Sequence, residues 1–370
     1  MPEKVLLVTV VRKGKSKHLL HEEVEEMHEL IRSAGGAIIE NLVAPIEKPS
    51  PSHYIHAGKV EEFREKRFKS KAGLAIFNID LSPAQSRNLE EVGGTRIVDR
   101  TGLILDIFAR RAQSKEGRLQ VELAQLSYLL PRLVGEGVLL SRLGGGIGTR
   151  GPGEQKLEIN RRKIRNRISK IKDELEKVER HRELLRKSRK RKDFFSIAIV
   201  GYTNVGKSSL LNALTGASAV VENKLFATLD PTTRFFYTAG SKKVLLTDTV
   251  GFLNHLPHHL IEAFKSTLEE VTQADALIHV LDISSPAAES HYRAVNQLLE
   301  QLGAFDKPTV LALNKVDLLT PDEFTRKTEK FPDGIPISVK TKQNFKELIH
   351  QAENMIEDAG KKMTVKHEEF

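Results

Sequence analysis

Gly201-Tyr202-Thr203-Asn204-Val205-Gly206-Lys207-Ser208 constrains this chain more than any other stretch. It fits G-x-x-x-x-G-K-[ST], follows the apolar run Phe194–Val200 and precedes Leu210-Leu211. A near-continuous apolar run marks a strand buried on both faces of a parallel sheet. A glycine turn from such a strand into a helix makes a phosphate cradle. Its glycines let backbone amides curl around β- and γ-phosphates, and the helix N-terminus adds its dipole. Lys207 is expected to neutralise those oxygens and Ser208 to ligate Mg2+.

Three further motifs follow in order. Asp248-Thr249-Val250-Gly251 ends a strand-like run, as expected of a carboxylate that holds Mg2+ through water and a glycine amide that senses the γ-phosphate. Asn314-Lys315-Val316-Asp317 closes the run Thr309–Leu313. Its Asp can accept two hydrogen bonds from the ring NH and exocyclic amine of guanine, while the Lys stem lies over the base. Adenine presents neither donor on that edge, and a site built on such bonds rejects the wrong analogue by roughly 10⁴-fold. Ser338-Val339-Lys340 then falls where a last loop closes over the base. Together the four motifs select GTP, with GDP as its product.

The ordered set resembles the translation-factor branch of P-loop GTPases. That resemblance implies a first switch at Phe226-Ala227-Thr228-Leu229-Asp230-Pro231-Thr232, in which a threonine reaches Mg2+ and the γ-phosphate. Thr228 is assigned that role, with Thr232 and Thr233 as alternatives. The catalytic set is therefore Lys207, Thr228 and Gly251, and the metal set is Ser208, Thr228 and Asp248. Nucleotide contact is expected from 201–208, 226–230, 248–251, 314–317 and 338–340. Phe252 follows Gly251 where many such GTPases carry a water-orienting Gln, and Phe cannot polarise water. A partner that completes the site can add roughly 10³–10⁵ in rate, so slow intrinsic turnover and strong activation are expected. His255, His258 and His259 follow and read as exposed side chains of the second switch.

The rest of the second half carries strand-like runs at Val244–Thr247, Ala276–Leu281, Thr309–Leu313 and Ile335–Ser338, with helical stretches between. This predicts a doubly wound, mostly parallel α/β domain over 193–358 and a frayed tail over 359–370. Residues 1–100 also alternate. Strands are expected at Val5–Val11, Ala37–Val43, Leu74–Ile79 and Thr95–Val98, helices at His18–Ser33 and Lys59–Phe68, and a short helix capped by Ser82-Pro83. The prediction there is a small parallel α/β domain.

Between them, over 101–192, Leu119, Leu123, Leu126, Leu130 and Leu133 are spaced 4, 3, 4, 3. Leu157, Ile164, Ile168, Ile171, Leu175, Val178 and Leu185 keep the same register, with Arg161 and Arg182 at seam positions. Two such helices predict an antiparallel coiled-coil hairpin joined by the glycine-rich loop 143–153. From Arg161 to Lys192, 16 Lys or Arg face 5 Asp or Glu. The whole chain carries a net +9, so this one segment holds the entire positive excess. Arg161-Arg162-Lys163, Arg165 and Arg167 at one end, and Arg186 to Lys192 at the other, are unbalanced locally and suit phosphate contacts, with Arg142 and Arg150 at the loop close to RNA. Gly146–Gly151 matches G-x-G-x-x-G, but it follows no strand and Pro152-Gly153 interrupts a helix start, so no dinucleotide site is read there.

No run of about 18 apolar residues is present, so no membrane span is expected. The chain has no cysteine, which excludes disulfides and thiolate metal sites. A cytoplasmic monomer is expected. At this point the chain is similar to the HflX family of ribosome-associated GTPases. The carriers are 144–154, with Leu157-Glu158 and Arg161-Arg162, and the switch-like segments 226–233 and 263–270. The resemblance implies binding to the large ribosomal subunit with the hairpin loop facing ribosomal RNA. It also implies ribosome-stimulated GTP hydrolysis and a role in ribosome splitting, rescue or recycling. Some members carry a further C-terminal domain beyond the nucleotide-binding one. Competing readings are a GTPase that regulates a protein partner through the coiled coil, or a subunit of RNA modification.

Overall fold

A computed structural model describes residues 2–12, 14, 17–133, 152–190, 194–216, 225–226, 229–237, 243–253 and 265–368. It forms two compact units, Met1–Val178 and Glu179–Phe370.

The first unit is built on a parallel sheet of order β2-β1-β3-β4, with β1 Glu3–Arg12, β2 Gly36–Ile46, β3 Leu74–Phe77 and β4 Arg96–Val98. β1 lies inside the sheet, which is why its apolar run is unbroken: Val5, Leu6, Leu7 and Val8 are all fully buried. β2 is an edge strand and alternates, with Leu42, Ala44 and Ile46 inward and Val43 half-exposed. Helices α1 (Lys17–Ser33), α2 (Ala57–Ser70) and α3 (Pro83–Gly93) connect the strands. α3 begins with a capping box: Ser82 Oγ accepts from Gln85 N, and Gln85 Oε1 accepts from Ser82 N. These satisfy two of the four donors a helix start leaves open.

α4 (Arg100–Arg111) is a separate helix within the span expected to form the hairpin; it packs on α1, β3 and β4 and buries Leu103, Ile104, Ile107 and Phe108. α5 (Lys115–Arg132) follows after a Ser114 cap. Its far end is held by Asp99, which is almost wholly buried and accepts four hydrogen bonds. The donors are Leu81 N (3.2 Å), Gly102 N (2.8 Å), Tyr128 Oη (2.7 Å) and Arg132 Nη2 (2.7 Å). The Arg132 guanidinium also lies 3.5 Å over the Tyr128 ring. Burial first, then the Asp99 charge, raises the Tyr128 phenol above its ordinary pKa, so it stays a donor.

α6 runs from Pro152 to Lys190, 39 residues or about 58 Å at 1.5 Å per residue. It starts at Pro152, a correction to the expected interruption there; a proline in the first helical turn lacks only an N–H that would have had no partner. Its less exposed positions recur at Arg161, Ile164, Ile168, Ile171, Leu175, Val178 and Arg182, with Ile171 fully buried. Arg167 Nε and Nη2 bond both carboxylate oxygens of Glu122 on α5, at 2.6 and 2.7 Å. Most of the expected hairpin loop, 143–151, lies outside the described residues.

The second unit holds a six-stranded sheet of order β10-β9-β8-β5-β7-β6. The strands are β5 Phe195–Gly201, β6 Thr232–Tyr237, β7 Lys243–Asp248, β8 Ala276–Asp282, β9 Thr309–Asn314 and β10 Ile335–Pro336. All pair in parallel except β6, which runs antiparallel to β7 at the edge and was not anticipated. Helices α7 (Lys207–Thr215), α8 (Lys265–Gln273), α9 (Ala288–Gln301), α10 (Pro321–Thr328) and α11 (Phe345–Glu368) complete it. α11 continues through the stretch expected to be a frayed tail. The sheet centre contains His279, buried and stacked on Tyr292 of α9 at 5.2 Å; burial pushes its pKa down to about 3, so it is neutral.

Replacing Asp99 with Ala strands the Arg132 charge and three further donors. The expected cost is about 3 kcal/mol or more, read as a lower urea midpoint of the full chain by circular dichroism.

Candidate nucleotide site

β5, β7, β9 and β10 run parallel and end at the same edge of the sheet, and all four motifs cluster there. β5 delivers Gly201, whose φ is +152° and whose absent Cβ would lie 2.3 Å from Val280 O of β8. No side chain fits so close to a backbone carbonyl. The loop then rises through Asn204 (φ 60°), the one exposed residue of the motif, to Gly206 at φ +98°. A Cβ on Gly206 would stand 2.6 Å from Asn314 Nδ2, so this glycine admits the neighbouring motif.

Lys207 opens α7 and is buried. Its ammonium donates to Tyr202 O at 2.7 Å and Gly201 O at 3.2 Å. Burial pushes its pKa down to about 8, against the pull of the Asp248 charge. Ser208 Oγ donates to Asp248 Oδ2 at 2.6 Å across the loop. These two hard oxygen donors suit Mg2+, which takes one or two protein ligands and fills its shell with water and phosphate. Among the described residues no group of three or more His, Cys or carboxylates could hold a metal, in keeping with a cation shared with a ligand.

Asp248 ends β7, and the chain turns back beneath the loop. Thr249 Oγ1 donates to Ile199 O at 2.7 Å, and Val250 is buried. Gly251 carries no Cβ because one would meet Thr203 Cγ2 at 2.8 Å and Lys207 Nζ at 3.1 Å. Phe252 N donates to Gly201 O at 3.1 Å and Phe252 O accepts from Thr203 N at 2.9 Å. Its ring is buried, so the residue serves as a clasp on the loop and its side chain belongs to the core.

The segment expected to form the first switch is only partly described. Phe226 (φ 55°) and Leu229 are buried and Asp230 is half-buried; Ala227 and the assigned Thr228 lie outside the described residues, as do His255, His258 and His259. Of the alternatives, Thr232 pairs in register with Asp248, and Thr233 Oγ1 meets Thr247 Oγ1 at 3.0 Å inside the sheet.

At the other end, Asn314 is buried with both halves of its carboxamide engaged. Nδ2 donates to Val205 O at 2.7 Å and Oδ1 accepts from Val339 N at 3.0 Å. Lys315 sits at φ 68° with its ammonium 2.7 Å from Asp282 Oδ2, so the stem is held over the sheet edge. Val316 N donates to Ile337 O at 3.3 Å. Asp317 is exposed, and its Oδ1 accepts from the buried Ser338 hydroxyl at 2.7 Å. Lys340 is exposed on the same loop.

Some participants have no motif to announce them. Asp282 anchors Lys315 from the end of β8. The Tyr202 ring stacks on His291 of α9, with centroids 3.8 Å apart and planes 12° off parallel. Such pairs depend on which helix crosses the loop, and only the weak hint of an aromatic inside a glycine loop precedes them.

A glycine loop between a buried parallel strand and a helix, joined through Asn314 to a base-reading turn, is the architecture of a P-loop GTPase. Family profiles agree. One described as 50S ribosome-binding GTPase matches residues 196–315, one described as GTP-binding GTPase N-terminal matches 21–109, and one described as GTP-binding GTPase Middle Region matches 111–189. GTPase HflX of Caldanaerobacter subterraneus subsp. tengcongensis is 50% identical over 355 residues, covering 95% of this chain and 80% of that one. GTPase HflX of Escherichia coli strain K12 is 44% identical over 330 residues, covering 89% and 78%. The crystal structure of SsGBP with GDP superposes with a TM-score of 0.53 at 28% identity, covering 95% and 98%. The chain belongs to the HflX family of GTPases, and it is a GTP-binding hydrolase.

The Lys207 pKa of about 8 sets a pH window. A phosphate partner raises that pKa, so affinity is fully present below the free value and declines as pH rises through it. Titration with a fluorescent guanine nucleotide is expected to give constant affinity near pH 7 and a fall approaching tenfold per unit above about pH 8. A flat profile to about pH 9 would show that the ammonium is not desolvated.

Proposed function

We propose that this chain is a ribosome-activated GTPase of the cytoplasm, working as a monomer on the large ribosomal subunit. In this reading the loop 201–206 holds the β- and γ-phosphates through its amides other than that of Thr203, which Phe252 O occupies, together with Lys207. Ser208, Asp248 and Thr228 hold Mg2+, which, when bound, supplies neutralisation of phosphate charge as a Lewis acid. Phe226–Asp230 covers the nucleotide as the first switch. Gly251 reports on the γ-phosphate through its amide. Asp317 reads guanine, Lys315 lies along the base, and Asn314, Val316 and the loop Ser338–Lys340 shape the pocket around it.

The observation that carries the reading is the ring of Phe252. It points into the core with its backbone clasped to the loop, so the residue after the Gly251 motif brings no polar group to the γ-phosphate. A GTPase so arranged turns over slowly until a partner completes or orders the site. The basic face of α6 supports RNA as that partner. Arg162, Lys163 and Arg165 are exposed, whereas Arg167 is occupied by Glu122. This points to phosphate contacts nearer the N-terminal end of α6. Splitting, rescue or recycling of ribosomes is the role in which such a nucleotide-dependent grip would be used.

Sedimentation with purified large subunits tests the proposal. Association is expected with a non-hydrolysable GTP analogue and is expected to be weak with GDP. Hydrolysis should rise by about 10³-fold or more on the subunit. Reversing the charge of Arg162, Lys163 and Arg165 together should weaken binding and lower the slope of log affinity against log salt by about 2 to 3. Equal association with either nucleotide, or none, would overturn the ribosomal reading and leave a protein-regulating GTPase.

A further inference from the structure

Thr203 is the third residue of the glycine loop, and its side chain carries a buried hydroxyl that the loop does not use. The residue is almost wholly buried, and Oγ1 has no hydrogen-bond partner among the described residues. Its backbone N–H is already spent on Phe252 O, so any contact with a nucleotide must come from the hydroxyl. Its position is fixed by Gly251. The point where a Cβ of Gly251 would stand lies 2.8 Å from Thr203 Cγ2 and 3.1 Å from Lys207 Nζ. The threonine's methyl group and the ammonium of Lys207 therefore flank the same spot beside the Gly251 turn, with the hydroxyl on the same short side chain. A buried hydroxyl left without a partner is disfavoured, and a valine of the same shape would avoid that cost. The hydroxyl is explained if a reactant supplies the partner.

We propose that Thr203 Oγ1 positions the attacking water for hydrolysis, in place of the side chain that Phe252 cannot provide. This rests on the site being the GTP-hydrolysing centre. The hydroxyl accepts a hydrogen bond from the water and donates one to a γ-phosphate oxygen, which sets the water in line with the bond that breaks. A lone pair of the water forms the new P–O bond. The bond from the γ-phosphorus to the β–γ bridging oxygen breaks, and its electrons stay on GDP. The water proton passes to a phosphate oxygen, and Thr203 ends unchanged. Lys207 can only donate, and Asp248, which holds Ser208 through Oδ2, can only accept. A hydroxyl both donates and accepts, which is what bridging a water to a phosphate oxygen requires.

Single-turnover hydrolysis by the full chain with GTP and Mg2+ separates this role from packing. Thr203→Val keeps the shape and removes the hydroxyl; Thr203→Ser keeps the hydroxyl. The valine variant is expected to lose on the order of 10²-fold in rate, with affinity for a fluorescent GTP analogue within about threefold of the parent. Serine should stay within about fivefold of the parent rate. If the valine variant does not fold, Thr203→Ala against Thr203→Ser gives the same contrast. Parent-like hydrolysis without the hydroxyl, or serine as slow as valine, would overturn the proposal. The assays are run with and without large ribosomal subunits. Loss of subunit stimulation in the parent chain sinks the ribosomal reading alone, because the valine-to-serine contrast is read in the basal rate.

Discussion

The carboxamide of Asn314 is the fastener on which the nucleotide-binding unit depends. Its Nδ2 holds Val205 O of the phosphate loop and its Oδ1 holds Val339 N of the last loop. Three segments far apart in sequence thereby meet at one buried side chain. The two roles use opposite ends of an amide, so neither an aspartate nor a leucine of similar volume could fill both. Gly206 completes the arrangement by making room, because a Cβ there would overlap the amide nitrogen. Glycine loop and guanine motif are thus one mechanical assembly, although they look like independent signatures.

The second theme is how the chain handles the hydrolytic end of the site. Directly after Gly251 the chain places an aromatic ring in the core and uses the same residue's backbone twice to grip the loop. The gain is rigidity exactly opposite Thr203 and Lys207. The consequence is that Phe252 brings no polar group to that end of the site.

Much of this was legible in the sequence for identifiable reasons. Strands buried on both faces announce themselves as unbroken apolar runs, so β1, β5, β8 and β9 were found close to their ends. Ser82-Pro83 announced the N-cap and first-turn proline of α3, though not the return bond from Gln85. The heptad spacing located the inward side of α6, including the unusual Arg161 and Arg182. What escaped has a common cause. β6 is an edge strand with Arg234, Phe235 and Tyr237 facing outward, so it lacks a buried strand's pattern and merged with the first switch. α4 was absorbed into the hairpin because its apolar stripe continues toward the leucines of α5. The tail of α11 reads as polar, although charged residues propagate a helix well. In the site, motif letters placed the loop, both carboxylates and the guanine turn. Asp282, His291 and the clasp at Phe252 depend on which elements lie side by side, and spacing along the chain does not carry that.

The overlooked strand has its own consequence. β6 leaves the first switch directly, with Thr232 opposite Asp248 and Thr233 bonded to Thr247. Side chains alternate along a strand, so a slip of one residue would turn Thr233 outward and Thr232 inward. Sliding is therefore stepwise: the strand either stays in place or jumps two residues, about 6.8 Å. Small adjustments of the switch cannot be taken up along the sheet. β6 is therefore a fixed post for the chain that enters it, and Pro231 stiffens the last link before Thr232.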